Sequence, residues 1–321
     1  MTKIRRNHGS NQRGSSSGHI SRLGIFLVAI VIGIVLIGYS LRNGGADKTR
    51  TPAGYVPAPH QRGDSQGRAS ATDGGSSLTD RDIILPSGGR YEVIHHRHYS
   101  LGYDESAEQA AWVAYPLTAE SIYVPNVKRS NWFTSDSLVS TRSAKHSDYT
   151  RSGYTRGHLA PAGDMAFNRE AMRESFKMSN MSPQLAVFNA GVWKELEENV
   201  RDWAIKRKEL YVVTGPILKG NEKRIGKKTK IAVPEAFYKV LLDVNGSDHE
   251  GIAYVVPHRL CTETLDAFAT SIDEVEELTG LDFFAQLPES TAEIEANYDA
   301  SAWRLDTKRY KDRLKNGNKS Q

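Results

Sequence analysis

The sequence predicts a mixed α+β domain preceded by a single membrane-spanning helix. Three observations lead there: five short runs rich in β-branched and aromatic residues, three stretches of helical periodicity that do not alternate regularly with those runs, and 19 consecutive uncharged residues near the N-terminus. Irregular ordering of strands and helices favours an α+β arrangement over a regularly wound parallel sheet.

Along the chain, residues 1–22 form a basic tail, and Leu23–Leu41 is the uncharged run, rich in Ile, Val and Leu. That run is long enough to cross a hydrocarbon core of roughly 30 Å, and longer than the apolar region of about 7–15 residues in a cleaved signal peptide. With no A-x-A site after it, the reading is an uncleaved signal anchor. Lys3, Arg5, Arg6, Arg13 and Arg22 precede the span, while Arg42, Lys48 and Arg50 follow it alongside Asp47. The positive-inside rule then leaves the N-terminus cytoplasmic and the remainder extracytoplasmic. Residues 42–82 are Gly-, Ser- and Pro-rich with few large apolar side chains, the composition of a flexible tether. The globular part is read as 83–305, and 306–321 as a charged, frayed tail.

Within the globular part, Tyr91–His95, Trp112–Leu117, Leu210–Thr214, Phe237–Val244 and Ile252–Val256 read as strands. Asn168–Phe176, Ala190–Lys208 and Ser271–Thr279 read as helices. Val192, Trp193, Leu196, Val200, Trp203 and Ala204 recur at helical spacing and predict one buried stripe. The polar stretch 243–250 around Asn245-Gly246 reads as a hairpin loop.

The formal charge of +4 is no argument for a nucleic-acid partner, because six Lys/Arg and no acid lie in residues 1–42; the rest carries 36 basic and 38 acidic residues. A basic site on the body must be a local patch. The single cysteine, Cys261, excludes an intramolecular disulfide and a thiolate zinc site, and reads as a small buried hydrophobe.

Two segments carry the chemistry. Tyr154-Thr155-Arg156-Gly157-His158-Leu159-Ala160-Pro161 joins a cation, a glycine and an imidazole. Histidine titrates near neutrality and suits removing a proton from water, and a neighbouring arginine can grip phosphate with its forked donors. Met178-Ser179-Asn180-Met181-Ser182-Pro183-Gln184 then leads to Asn189-Ala190-Gly191-Val192-Trp193 and Glu197. Eight residues separate Asn189 from Glu197, a little over two helical turns, so both can share a face. Taken singly, Asn189 also reads as an N-cap, and Glu197 as a solvated residue paired with Arg201 at i+4.

Together these segments resemble the DNA/RNA non-specific endonuclease family, the ββα-metal (His-Me finger) nucleases that include mitochondrial endonuclease G. The likeness continues through Val213-Thr214-Gly215-Pro216, Val233-Pro234-Glu235-Ala236-Phe237-Tyr238-Lys239, Ala253-Tyr254-Val255-Val256-Pro257 and Ser271–Phe284, in one collinear order over roughly residues 90–290. It implies a central mixed or antiparallel sheet flanked by helices, and hydrolysis of phosphodiesters in both DNA and RNA. It implies His158 as general base, Asn189 as the side chain that binds magnesium (with manganese able to replace it), and Glu197 as holder of metal-bound water. Arg156 would steady the phosphate or leaving group, Asn180 would be a supporting polar position near the histidine, and Arg129, or Lys128 beside it, would stabilise the transition state. The family signature is usually Asp-Arg-Gly-His, so Thr155 is a departure. Oligomeric state stays open, a homodimer being one arrangement.

Rival readings are a degenerate nuclease fold that binds nucleic acid at the membrane without turnover, and a phosphodiesterase for a smaller substrate. Of His95, His96 and His98, only His96 and His98 would share a strand face; a surface strand end is favoured over a metal site. Residues 219–230 carry six Lys/Arg and read either as a phosphate-tracking loop or as a solvated one.

Overall fold

A computed structural model describes residues 84–243, 245, 250–287 and 292–317. The basic tail, the membrane span 23–41 and the tether 42–82 lie outside the described residues, as does most of the loop at 243–250. Among the described residues, no helix is long and apolar enough to cross a membrane.

The strands in chain order are β1 (Glu92–His95), β2 (Ser100–Asp104), β3 (Gln109–Thr118), β4 (Thr155–His158), β5 (Met181–Gln184), β6 (Glu209–Ile217), β7 (Arg224–Ile225), β8 (Ile231–Ala232), β9 (Ala236–Asp243), β10 (Glu250–Pro257) and β11 (Ala269–Thr270). The helices are α1 (Ala119–Tyr123), α2 (Arg169–Ser175), α3 (Lys194–Arg207), α4 (Ile272–Thr279), α5 (Ala292–Ala296) and α6 (Thr307–Gly317). Seven strands make one sheet in the order β1-β2-β3-β6-β9-β10-β11, every pairing antiparallel. Two small ribbons, β4-β5 and β7-β8, stand apart from it.

The inner strands of the sheet are buried on both faces, which is why they read as apolar runs rather than as alternating patterns. Leu210 and Val212 of β6 enter one core, and Tyr211 and Val213 the other. On the first face lies α3, whose stripe Leu196, Val200, Trp203 and Ala204 is buried together with Val192 and Trp193 before it. Against the second face lies α4, through Ile272 and Val275. Helix α2 begins where Asn168 accepts a hydrogen bond from the Ala171 amide, at 2.7 Å. Helix α4 begins at the Ser271 cap and stops where Gly280 turns left-handed, at φ +68°.

Three expectations are corrected, and one strand went unread. The long helix does not run unbroken from Ala190: a single turn at Ala186–Phe188 and a π-helical turn at Asn189–Trp193 precede α3, and Gly191 leaves the helical region with ψ −113°. The segment 306–321 is not a frayed tail over its described part; α6 packs on α3 through the ion pairs Arg313–Glu195 and Arg309–Asp202. Strand β2 was not legible because Gly102 and polar ends interrupt its pattern, yet a Cβ at Gly102 would sit 2.3 Å from Trp112 Nε1, so the indole requires glycine there. Of the histidines near β1, only His95 is the exposed strand end that was expected, with Nδ1 2.9 Å from Ser100 Oγ; His96 is buried against Asp136 at 2.8 Å, and half-buried His98 meets Glu174 at 2.7 Å. Each has its own partner, and among the described residues no group of three His, Cys, Asp or Glu side chains could hold a metal ion.

Candidate active site

The ribbon β4-β5 sets the site. Its register faces Thr155 to Gln184, Gly157 to Ser182 and His158 to Met181. A Cβ on Gly157 would lie 2.1 Å from Gln184 Cδ, so only glycine lets the two strands close. Between them the chain makes an excursion through α2 and returns beneath His158. There the Asn180 side chain accepts from the Ala160 amide (2.9 Å) and donates to the carbonyls of Ala160 (2.9 Å) and Ser175 (2.8 Å).

One cleft of about 310 Å³ is lined by Arg129, Arg156, His158, Asn189, Lys194, Glu197 and Arg201, among others. Four cations and one carboxylate make it a strong attractor of anions. His158 is 7% exposed, with its ring edge-on to Phe176 at 4.7 Å. Among the described residues its Nε2 has no hydrogen-bond partner. Burial first, then the charge of Arg129, lowers its pKa to about 3, so the imidazole is neutral at physiological pH.

The arginines are held by aromatic faces. Arg129 lies 5.1 Å over Phe176, and Arg156 lies 4.5 Å over Phe133 with Nη1 3.2 Å from the His146 ring nitrogens. The π-helical turn presents Asn189, whose Nδ2 donates to Thr155 Oγ1 at 3.0 Å. Thr155 in turn donates to the Gln184 carbonyl at 2.9 Å. With its amide nitrogen so engaged, the carboxamide oxygen of Asn189 accepts no hydrogen bond among the described residues.

Among the described residues Glu197 has no hydrogen-bond partner. Burial raises its pKa to about 7, against the opposing pull of Lys239 and Arg201. Lys239 projects from β9 on the same face as Phe237 and Leu241, fully buried, with Nζ 5.0 Å from the Trp193 ring. Burial lowers its pKa to about 8, while Glu197 raises it. Arg201 does not pair with Glu197: its Nη1 donates to Asp164 Oδ1 at 2.8 Å, and Tyr115 donates to the other Asp164 oxygen at 2.8 Å.

The family model for DNA/RNA non-specific endonucleases matches residues 82–290. The chain belongs to this family. It is 33% identical over 218 residues to "Nuclease EXOG, mitochondrial" of Danio rerio, covering 63% of this chain and 63% of that protein. It is 33% identical over 219 residues to "Nuclease C1" of Cunninghamella echinulata var. echinulata, covering 64% of this chain and 87% of that one. Among solved structures, a crystal structure of the EndoG/EndoGI complex superposes with a TM-score of 0.59 at 33% identity, over 63% of this chain and 89% of that chain. The chain thus spans less than two thirds of the length of the Danio rerio relative, and 58% of its Mus musculus counterpart.

In this endonuclease-family chain, the structure brings five of the six residues singled out from sequence to one cleft: His158, Asn189, Glu197, Arg156 and Arg129. The sixth, Asn180, is fully buried outside it and braces the backbone after His158. Lys128 is not among the cleft's lining residues, whereas Arg129 is. Asn189 is no N-cap, since it lies within the π-helical turn. Sequence reasoning missed Lys239, Asp164, Phe133 and Phe176. A lysine inside the apolar strand run 236–243 was the one signal on offer, because lysine is almost never fully buried without a reason.

Proposed function

We propose that this chain is a metal-dependent endonuclease that hydrolyses phosphodiester bonds of DNA and RNA without regard to the sugar. The observation that carries the reading is the convergence of His158, Asn189, Glu197, Arg129 and Arg156 on one cationic cleft. In this ββα reading, β4 and β5 carry the base and α3 with its π-helical turn carries the cation-binding groups.

The residues present fit a hard divalent cation. Among the described residues the Asn189 carboxamide oxygen and the Glu197 carboxylate accept no hydrogen bond, and Glu197 lies at a depth that raises its pKa. Magnesium accepts oxygen ligands and keeps several waters, so one amide oxygen and a carboxylate reaching through water form an adequate anchor; manganese fits the same set. A bound cation would offset the charge that builds on the phosphorane and the departing oxygen.

Within the protein itself, His158 takes the proton from the attacking water. Phe176 and Phe133 pack its ring and exclude bulk solvent. Arg129 and Arg156, steadied over aromatic rings, hold the phosphate. A phosphate paired with Arg129 also cancels one of the two causes that depress the His158 pKa, so the base strengthens as substrate binds. Contacts to phosphate and sugar carry no base identity, which accounts for attack on either polymer.

The anchored topology, with Leu23–Leu41 in a membrane and the catalytic domain extracytoplasmic, stays part of this proposal on the strength of the sequence alone. The test is digestion of plasmid and of RNA by the full chain with magnesium, manganese or EDTA, beside His158→Ala. Metal-dependent cutting of both polymers, abolished by His158→Ala, supports the reading. Retained cutting in His158→Ala overturns it, and binding without turnover favours a degenerate nuclease.

A further inference from the structure

A second cationic cleft, of about 910 Å³, lies between residues 145–152 and the β7-β8 hairpin. Lys145, Arg151, Lys223, Lys227, Lys228 and Lys230 are all exposed on it. Among the described residues none of the six enters an ion pair; Lys223 does no more than face the Tyr154 ring at 5.3 Å. The one carboxylate on the cleft, Asp148, is spent on architecture: it accepts from the Lys145 amide at 2.8 Å and from Thr229 Oγ1 at 2.8 Å, tying the turn at 145–149 to the hairpin tip. Arg224 likewise braces the hairpin by donating to the carbonyls of Ser106 (2.7 Å) and Lys230 (2.9 Å). Two of the exposed cations, Arg151 (φ +57°) and Lys230 (φ +62°), are held in the left-handed region, uncommon for side chains of this size.

This cleft is fastened to the catalytic ribbon. Ile225 and Ile231 of the hairpin, Tyr149 of the turn and Met181 of β5 share one small core with Phe133 and Tyr154 at its edge. Gln109 links the two ribbons, accepting from Ser182 of β5 at 2.6 Å and donating to the Ala232 carbonyl of β8 at 2.7 Å. His146 connects residues of the two clefts, its ring nitrogens 3.2 Å from Arg156 Nη1 of the first and its chain neighbour Lys145 on the second. Unpaired like charges on a braced scaffold destabilise the free protein and suit a polyanion, and a polynucleotide held by Arg156 could reach them by way of His146 and Lys145.

We propose that this second cleft is a phosphodiester-tracking site that holds the polynucleotide beyond the cleavage point, which makes the enzyme prefer long substrates. The inference rests on the nuclease reading for its ligand, but it is testable without turnover. Binding of a labelled duplex of about 20 base pairs to the full chain is measured by fluorescence anisotropy in EDTA across a salt series, for the unaltered protein, Lys227→Ala/Lys228→Ala and the charge reversal Lys227→Glu/Lys228→Glu. Lys308→Ala/Lys311→Ala, on α6, serves as a control of equal charge change. The tracking site predicts roughly tenfold weaker duplex binding for Lys227→Ala/Lys228→Ala, a salt slope shallower by about 2, a larger loss for the reversal, and no effect of the control. With magnesium, KM for duplex rises while cleavage of a dinucleotide diester is unchanged. Duplex affinity unaltered by both hairpin variants, or equally weakened by the control, overturns the proposal. So does a hairpin variant that loses binding to anionic phospholipid vesicles while keeping its duplex affinity. If the unaltered chain binds duplex with the predicted lysine dependence but never cuts it, the catalytic reading fails and the tracking site stands.

Discussion

Thr155 Oγ1 accepts a hydrogen bond from Asn189 Nδ2 at 3.0 Å while donating its own proton to the Gln184 carbonyl at 2.9 Å. The residue that departs from the family signature therefore still accepts a hydrogen bond from the Asn189 carboxamide, and in the proposed metal site that contact would orient the amide. Thr155→Val keeps the shape and removes the acceptor. Groups that orient a metal ligand typically cost about 10–100-fold in metal affinity or activity when lost. We expect a shift of that size in the magnesium dependence of cleavage for Thr155→Val, and recovery in Thr155→Asp, which restores an acceptor. A Thr155→Val enzyme with an unchanged magnesium titration would refute the orienting role.

His158→Ala should lower the rate at least about a hundredfold, the usual contribution of a positioned general base. The same substitution has a thermodynamic signature. The folded-state pKa lies below the ordinary 6.5, at about 3. The unfolded chain therefore takes up a proton first as pH falls, and His158 costs stability increasingly below about 6.5, by about 1.4 kcal/mol per pH unit until the folded imidazole itself titrates. Urea melts of the two proteins should converge in pH dependence above 7 and diverge below 6, with His158→Ala losing less stability on acidification. Parallel curves would place the imidazole in solvent.

Glu197 should make cation binding pH-dependent near neutrality. Its carboxyl, with pKa raised to about 7 by burial, must be ionised to hold a cation's water. Below that pH the magnesium requirement rises, approaching tenfold per unit; above it the requirement levels off. Magnesium titrations of cleavage across this range check the point, and Glu197→Gln should abolish the dependence. An equally steep dependence in Glu197→Gln would assign the titration to another group.

Removing one end of the Arg313–Glu195 pair should destabilise the fold. Both side chains are buried, at 7% and 3% exposure, so Arg313→Ala strands a carboxylate beneath α6. Loss of one partner of a buried pair costs about 3–5 kcal/mol. Thermal or urea melts of Arg313→Ala should show a loss of that order, relieved in Arg313→Ala/Glu195→Leu, where no charge is left unpaired. A loss below about 1 kcal/mol would mean that α6 detaches freely.

Strands β3, β6, β9 and β10 were legible because both faces of each are buried and their side chains are accordingly apolar and branched. Helices α2 and α4 were legible to within a residue or two because Asn168 and Ser271 cap them. The ribbon β4-β5 was not. Gly157 and Pro183 argue locally for a turn, and what makes these segments strands is each other, across a gap in sequence filled by α2. Helix α6 was hidden for a similar reason: its charges look solvated until Glu195 and Asp202 on α3 are found to face them.

By itself, the sequence determined which groups are available to the chemistry and the order in which they occur: an imidazole after a glycine, an amide before a helix, and a carboxylate two turns on. Those are properties of short segments, set by residue type and helical period. Tertiary structure decided which groups meet. It placed Arg129 rather than Lys128 at the cleft, gave Arg201 to Asp164 rather than to its i+4 neighbour Glu197, set Lys239 beneath the carboxylate, and kept Asn180 for the backbone. Those choices depend on distances between residues remote in the chain, and on burial that strengthens every charge brought into the cleft. Neither quantity is written in any local run of residues.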